Sequence, residues 1–303
     1  MKALVIGYGS IGERHARILT ELGCNTAVLS ARSVDFPLLF SSLDEVIDRH
    51  QPDYVVIASQ TASHYSDLIR LIDVGFTGSV LVEKPLFKIK QELPKNDFKS
   101  FNVAYNLRFH PVIQKVRMLL AGQNIISFNA YVGQYLPSWR PGADYSKSYS
   151  ASSLMGGGVL RDLSHELDFI SWLVGGWSRI TASGGHFSDL NIDSDDVYGL
   201  LWESERCPLI CAQLSYLDRN PTRKFIVNTN ALTIEADLNL GIIKIGDLSL
   251  SFPSNRDYTY RKMHESVIHG EYQSLCTSEE ACEIMAMIEA AEVSNQKKIW
   301  VSK

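Results

Sequence analysis

The chain lacks the patterns that build disulfide or metal scaffolds. Its five cysteines (Cys24, Cys207, Cys211, Cys276 and Cys282) are an odd number without a C-x-x-C pair, so reduced thiols are expected. H-E-x-x-H is missing as well. His165-Glu166-Leu167-Asp168 approaches a metal-binding helix without completing it, and no metal is expected. No apolar run nears the ~20 residues that cross a bilayer, which excludes a membrane-spanning helix. There is no basic block and the formal net charge is −5, so nucleic acid is not expected as the main partner. A small anionic ligand stays open, because a pocket can be basic in an acidic protein. The N-terminus enters a strand pattern within three residues and has no signal-peptide anatomy, so a cytoplasmic location is expected. Repeats and low-complexity linkers are absent too. With 45% hydrophobic and 21% charged residues, the 303-residue chain reads as globular, with length enough for two domains.

What is present begins with Ala3-Leu4-Val5-Ile6, an apolar run that leads into Gly7-Tyr8-Gly9-Ser10-Ile11-Gly12 and a helical pattern ending at Gly23. Strand, glycine turn and helix in that order read as a dinucleotide site. Gly7 permits the turn, Gly9 lets the backbone approach a pyrophosphate, and Gly12 lets helix and strand pack closely. The first helical turn, with Ser10 and Ile11, offers unpaired N–H groups to the phosphates. Thr26–Ser30 reads as a second strand, and the box Ser42-x-x-Glu45 starts a helix reaching His50. Tyr54–Ala58, Val80–Val82 and Asn102–Tyr105 follow as strands, with a helix ending near Gly75 between the first two. Continuous apolar strands alternating with helices predict a parallel Rossmann sheet over residues 1–118. The second strand ends in Ser30-Ala31-Arg32-Ser33, without the carboxylate that binds ribose hydroxyls in NAD enzymes. Ser30 and Ser33 can donate to a 2′-phosphate and Arg32 can pair with it, so NADP(H) is expected over NAD(H).

Past Pro111, a good first helical residue, the pattern changes. Ile126, Phe128, Ala130 and Val132 alternate with Ser127, Asn129 and Tyr131, as in a strand with one wet face. Further strands are expected at 197–202, 209–216, 224–229, 231–237 and 241–252, and helices at 161–174 and 278–294, the latter from the box Thr277-x-x-Glu280. Residues 119–303 therefore read as an α+β domain on a large, mostly antiparallel open sheet. Its uncovered face predicts a homodimer or homotetramer.

Four constellations could carry chemistry. Glu83-Lys84-Pro85 closes the fourth strand, where an open α/β sheet lines its ligand crevice; a surface lysine before a turn is the alternative. Thr61 and His64 follow the third strand, as ligands or as helix caps. Gly156-Gly157-Gly158 precedes Val159-Leu160-Arg161-Asp162-Leu163-Ser164-His165. Asp162 and His165 are spaced to share a helix face, which would suit a proton acceptor near neutral pH, or else a self-capping helix with an exposed histidine. Between these lies Tyr135-Leu136-Pro137-Ser138-Trp139-Arg140-Pro141, with Tyr149 close behind: a loop suited to a polyhydroxylated ligand, or to an aromatic interface.

The order of these motifs, with Asn106-Leu107-Arg108-Phe109-His110-Pro111 added, resembles the glucose–fructose oxidoreductase, inositol dehydrogenase and rhizopine catabolism family (Gfo/Idh/MocA) over nearly the whole chain. The loop and the GGGVLRDLSHELDF segment are also similar to a subset found with surface-glycan and nonulosonate biosynthesis. The resemblance implies that Lys84 bridges cofactor and substrate and that His165 accepts the proton, helped by Asp162. Ser59, Thr61, His64 and Glu83 are expected at the cofactor, and Arg108, Tyr135, Trp139, Arg140 and Tyr149 at the substrate. The expected activity is hydride transfer between NAD(P) and a CH–OH carbon of a sugar or polyol. A non-catalytic dinucleotide sensor and a C=N reductase are the rivals. The family commonly spaces the aspartate and histidine four apart, whereas here they are three apart.

Overall fold

A computed structural model describes residues 1–303. In chain order it begins with β1 (Lys2–Ile6), α1 (Ser10–Glu21), β2 (Asn25–Leu29), β3 (Leu39–Phe40), α2 (Leu43–Arg49), β4 (Tyr54–Ile57), α3 (His64–Asp73), β5 (Ser79–Val82) and β6 (Ser100–Val103). There follow α4 (Pro111–Leu119), β7 (Ile125–Gly133), α5 (Val159–Asp162), α6 (His165–Val174), β8 (Arg179–Gly185), β9 (Val197–Ser204) and β10 (Cys207–Ser215). The rest is β11 (Thr222–Thr229), β12 (Thr233–Asp237), β13 (Ile242–Ile245), β14 (Leu248–Ser251), α7 (Tyr258–His269), β15 (Cys276–Thr277), α8 (Ser278–Lys297) and β16 (Val301–Ser302).

The chain forms two compact units. The first comprises residues 1–109 and 255–282, the second residues 110–254 and 283–303. This differs from the expected boundary at 118. Helix α4 buries Val112, Ile113 and Val116 and packs on β12, so it belongs to the second unit, while α7 and β15 return to the first.

The first unit is a seven-stranded sheet in the order β15-β6-β5-β4-β1-β2-β3, parallel except for β15. Ala3, Leu4, Val5 and Tyr54 to Ile57 have no exposed surface, because helices cover both faces, and this is why the strands read as unbroken apolar runs. Met263, Val267 and Leu275 join Ala16 and Leu19 in the core. The sequence pattern misses α7 because three of its five buried positions are polar: Thr259, His264 and Ser266. Ser42 precedes α2 but makes no side-chain cap bond, contrary to the expected box. The second box forms: Glu280 N–H donates to Thr277 Oγ1 (3.2 Å) and Thr277 N–H to Glu280 Oε2 (3.0 Å).

The second unit is a nine-stranded sheet in the order β14-β13-β12-β11-β7-β10-β9-β8-β16, antiparallel except for β7 with β10. One face is closed: Phe128 and Phe225 stack at 5.0 Å under Phe169 of α6, and Tyr198, Leu200 and Trp202 alternate inward along β9. The other face leaves Ile126, Leu209 and Ile226 exposed. Ile126 was expected inside. The register skips it opposite Asn228–Thr229, and the resulting bulge turns it outward. The expected strand 241–252 is a hairpin, β13 and β14, joined through Gly246. β8, with the sequence RITASGG, carries too little apolar alternation to be read as a strand.

Candidate active site

In the first unit three glycines divide the work at the β1–α1 turn. Gly7 has φ +92°, and a Cβ there would lie 2.7 Å from Ser59 Cα, so the turns ending β1 and β4 abut. A Cβ on Gly12 would lie 2.1 Å from the Gly7 carbonyl oxygen. A Cβ on Gly9 would meet nothing within 4 Å. The protein itself does not require glycine there, so its small size serves something that approaches from outside. Helix α1 has no side-chain cap, which leaves the N–H groups of Ser10, Ile11 and Gly12 directed at the same space. Arg32 Nη2 donates to the Tyr8 carbonyl (2.6 Å), and the Arg32 N–H donates to Ser30 Oγ (3.1 Å). That places an exposed guanidinium beside the glycine turn; Ser33 is exposed next to it.

At the neighbouring strand ends, several residues expected at the cofactor make hydrogen bonds within the protein. Ser59 Oγ donates to Asp67 Oδ2 (2.7 Å). Thr61 opens a short 3-10 turn over Thr61–Ser63. His64 is buried with Nε2 3.2 Å from the Ser59 carbonyl and Nδ1 3.1–3.2 Å from those of Leu86 and Pro85. Burial lowers its pKa, and both ring nitrogens face the backbone, so His64 ties the β4 and β5 loops together. Glu83 is also turned inward: Oε1 sits 2.8 Å from His15 Nε2, and Oε2 accepts the Lys84 N–H at 3.0 Å. Lys84, whose peptide bond to Pro85 is cis, is half-buried at the end of β5. Arg108, expected at the substrate, is 2% exposed and bonded to Glu280 Oε2 (2.7 Å) and the Leu275 carbonyl (3.3 Å). The return of the chain through β15 supplies these partners, and nothing near Arg108 in sequence signals them.

In the second unit the expected single helix is two. α5 ends at Asp162 and α6 starts at His165, because Ser164 N–H turns back to the Arg161 carbonyl and Glu166 N–H to that of Leu163, both at 3.3 Å. Asp162 and His165 thus flank a tight step instead of sharing a helix face. Asp162 Oδ2 accepts a 2.6 Å hydrogen bond from Tyr216, a buried phenol whose pKa burial and the nearby carboxylate push far up. His165 is half-buried at the start of α6. Asp195 holds the start of α5: its Oδ2 accepts the Leu160 N–H (2.9 Å), and a Cβ on Gly158 (φ +116°) would strike its Oδ1 at 2.3 Å. Burial raises the Asp195 pKa to about 6.

Tyr149, expected at the substrate, donates its hydroxyl to the Gly156 carbonyl (3.0 Å) and so braces the glycine loop. Tyr135 lies under Arg219, and Trp139 meets Tyr216 edge-on at 5.2 Å. Trp139 and Arg140 line a cavity of about 190 Å³ with Tyr145 and Ser148. Tyr216 and Asp195 were not foreseen. The only available signals were an aromatic residue closing a strand and the acidic run before β9.

Residues 1–95 match the family described as "Oxidoreductase family, NAD-binding Rossmann fold" of the Gfo/Idh/MocA type. Over these residues the chain is similar to the NAD-binding Rossmann domain of that family. A search of curated proteins gave no significant sequence match. Solved structures extend the likeness in fold to the whole chain. Levoglucosan dehydrogenase in complex with NADH is 16% identical, covering 100% of this chain and 98% of its own, with TM-score 0.85. GenD2 from gentamicin A biosynthesis, in complex with NAD, is 20% identical over 100% and 96%, with TM-score 0.79. An oxidoreductase from Agrobacterium radiobacter, in complex with NAD+, L-tartaric acid and magnesium, is 16% identical over 100% and 98%, with TM-score 0.79. The second unit accordingly shares its mostly antiparallel fold with these structures. A nicotinamide dinucleotide fits the residues present. The space at Gly9 and the uncapped start of α1 suit a pyrophosphate, which a Cβ at position 9 would crowd.

Proposed function

We propose that this protein is an NADP(H)-preferring dehydrogenase of the Gfo/Idh/MocA family acting on a CH–OH carbon of a sugar or sugar-like polyol. The observation that carries this reading is the open space at Gly9 in the same unit as a half-buried Lys84 closing a parallel strand. When bound, the nicotinamide supplies the hydride donor or acceptor. The Lys84 ammonium stabilises charge developing on the substrate oxygen, a preorganised electrostatic role. His165 takes the hydroxyl proton in oxidation and returns it in reduction. Asp162, held by Tyr216, orients the participants. The cavity at Trp139 and Arg140 suits a ring with polar groups, and the likeness to a levoglucosan dehydrogenase supports a sugar.

The preference for NADP(H) rests on Arg32 beside the glycine turn and on hydroxyls, not carboxylates, at Ser30 and Ser33. The exposed apolar residues on the open sheet face support a homodimer or homotetramer. Five free cysteines fit the reducing cytoplasm. The test is a turnover screen of sugars, nucleotide sugars and nonulosonates, surface-glycan precursors first, with NADP+ and NAD+ side by side. Reduction of NADP+ by at least one such compound is expected. Bound dinucleotide without turnover on any compound in either direction would overturn the enzyme reading.

A further inference from the structure

Beneath Glu83-Lys84-Pro85 lies a row of buried polar side chains that the proposed reaction does not use. Tyr54, His15 and His264 have no exposed surface. Tyr54 Oη lies 3.0 Å from His264 Nδ1, His264 Nε2 lies 2.8 Å from His15 Nδ1, and His15 Nε2 lies 2.8 Å from Glu83 Oε1. The other Glu83 oxygen accepts the Lys84 N–H. Four separate elements, β4, α7, α1 and the end of β5, thus meet in one line within the first unit.

The ends of this line set its direction. Tyr54 is a fully buried phenol bonded to His264 Nδ1, and its proton must be donated there. Burial and the neighbouring His15 drive the His264 pKa well below its ordinary value, so His264 is neutral and carries its single proton on Nε2. That N–H donates to His15 Nδ1, which leaves His15 Nε2–H to donate to Glu83. We propose that Tyr54, His264 and His15 are positioning residues. Together they form a one-directional hydrogen-bond chain that fixes the His15 tautomer, holds Glu83 and thereby sets the turn that presents Lys84. Other titratable groups face this line. Tyr260 of α7 packs edge-on against His15 and interacts with Glu83, as does His64 of α3; Cys24 and Tyr272 face Tyr54.

The proposal rests on the dehydrogenase reading only for its kinetic consequence, so two measurements separate the two ideas. Long-range 1H–15N spectra of the histidine-labelled full chain at pH 7 should place single protons on Nε2 of both His15 and His264. His264→Phe should release the His15 tautomer, and His264→Gln, whose amide N–H can stand at the Nε2 position, should restore it. Tyr54→Phe serves if His264→Phe does not fold, since removing the terminal donor should mix the His264 tautomers. In turnover, His264→Phe should lower kcat by up to about tenfold, the upper end of what one hydrogen bond between neutral groups is worth. KM for the dinucleotide should stay within about threefold, and Gln should recover most of the loss. An Nδ1–H tautomer or a charged His264 in the parent would overturn the chain, as would Phe and Gln variants that behave alike. A parent with the stated tautomers and no turnover refutes the dehydrogenase reading and leaves the chain standing.

Discussion

Replacing Asp195 by asparagine should stabilise the second unit near neutral pH and leave it unchanged in acid. The carboxylate is enclosed beside Gly158 and accepts the Leu160 N–H, and burial raises its pKa from the ordinary 3.8 to about 6. A raised acid pKa means that the folded state holds a proton which the unfolded state has already lost between these values. The contribution is therefore fully present below pH 3.8 and is lost as pH rises through about 6. A shift of roughly two units at about 1.4 kcal/mol each corresponds to about 3 kcal/mol. Asparagine keeps an acceptor for Leu160 and carries no charge to desolvate. The variant should therefore equal the parent at pH 4 and exceed it by up to about 3 kcal/mol at pH 7. All five tryptophans (Trp139, Trp172, Trp177, Trp202 and Trp300) lie in the second unit, so urea unfolding followed by their fluorescence reports this unit alone. A difference between variant and parent that does not change with pH would refute the reasoning, as would an asparagine variant less stable at pH 7.

Four further outcomes are expected. His110 accepts the Val112 N–H at the start of α4, and burial next to Arg223 lowers its pKa to about 4, so its contribution is present above pH 6.5 and lost as pH falls through 4. This opposes Asp195, and the Asp195→Asn variant should steepen acid denaturation while adding His110→Asn flattens it again, both read from the same fluorescence transitions. Gly9→Ala should keep the parental melting temperature and lose dinucleotide affinity, whereas Gly12→Ala should lower the melting temperature by its clash with the Gly7 carbonyl; calorimetry and titration separate the two. His165→Ala should cut kcat by about 10²–10⁴ without weakening NADPH binding, and Lys84→Ala should lose turnover and some affinity together, as steady-state kinetics and titration will show. Arg32→Ala should weaken NADPH more than NADH in fluorescence titrations, and an equal loss for both would remove the 2′-phosphate assignment.

The sequence by itself determined the elements whose physics is local. A glycine turn between an unbroken apolar strand and an amphipathic helix has few other uses, and the Rossmann strands betray double-sided burial by their lack of alternation. Pro111 at the start of α4 and the Thr277–Glu280 box are legible for the same reason, since each is satisfied within one turn of chain. What needed the tertiary structure was where side chains spend their hydrogen bonds. Glu83, His64 and Arg108 occupy the positions that the motifs single out, yet their partners arrive from α1, the β5 loop and the segment around β15. The split between Asp162 and His165 is equally invisible in their spacing, because a tight step and a continuous helix differ by only two backbone bonds. Tyr216 meets Asp162 across 54 residues, and His15 meets His264 across 249. Pattern periodicity reports which face of an element avoids water. It carries no information about which distant polar group will complete a buried donor, and in this protein that completion decides which motif residues remain for chemistry.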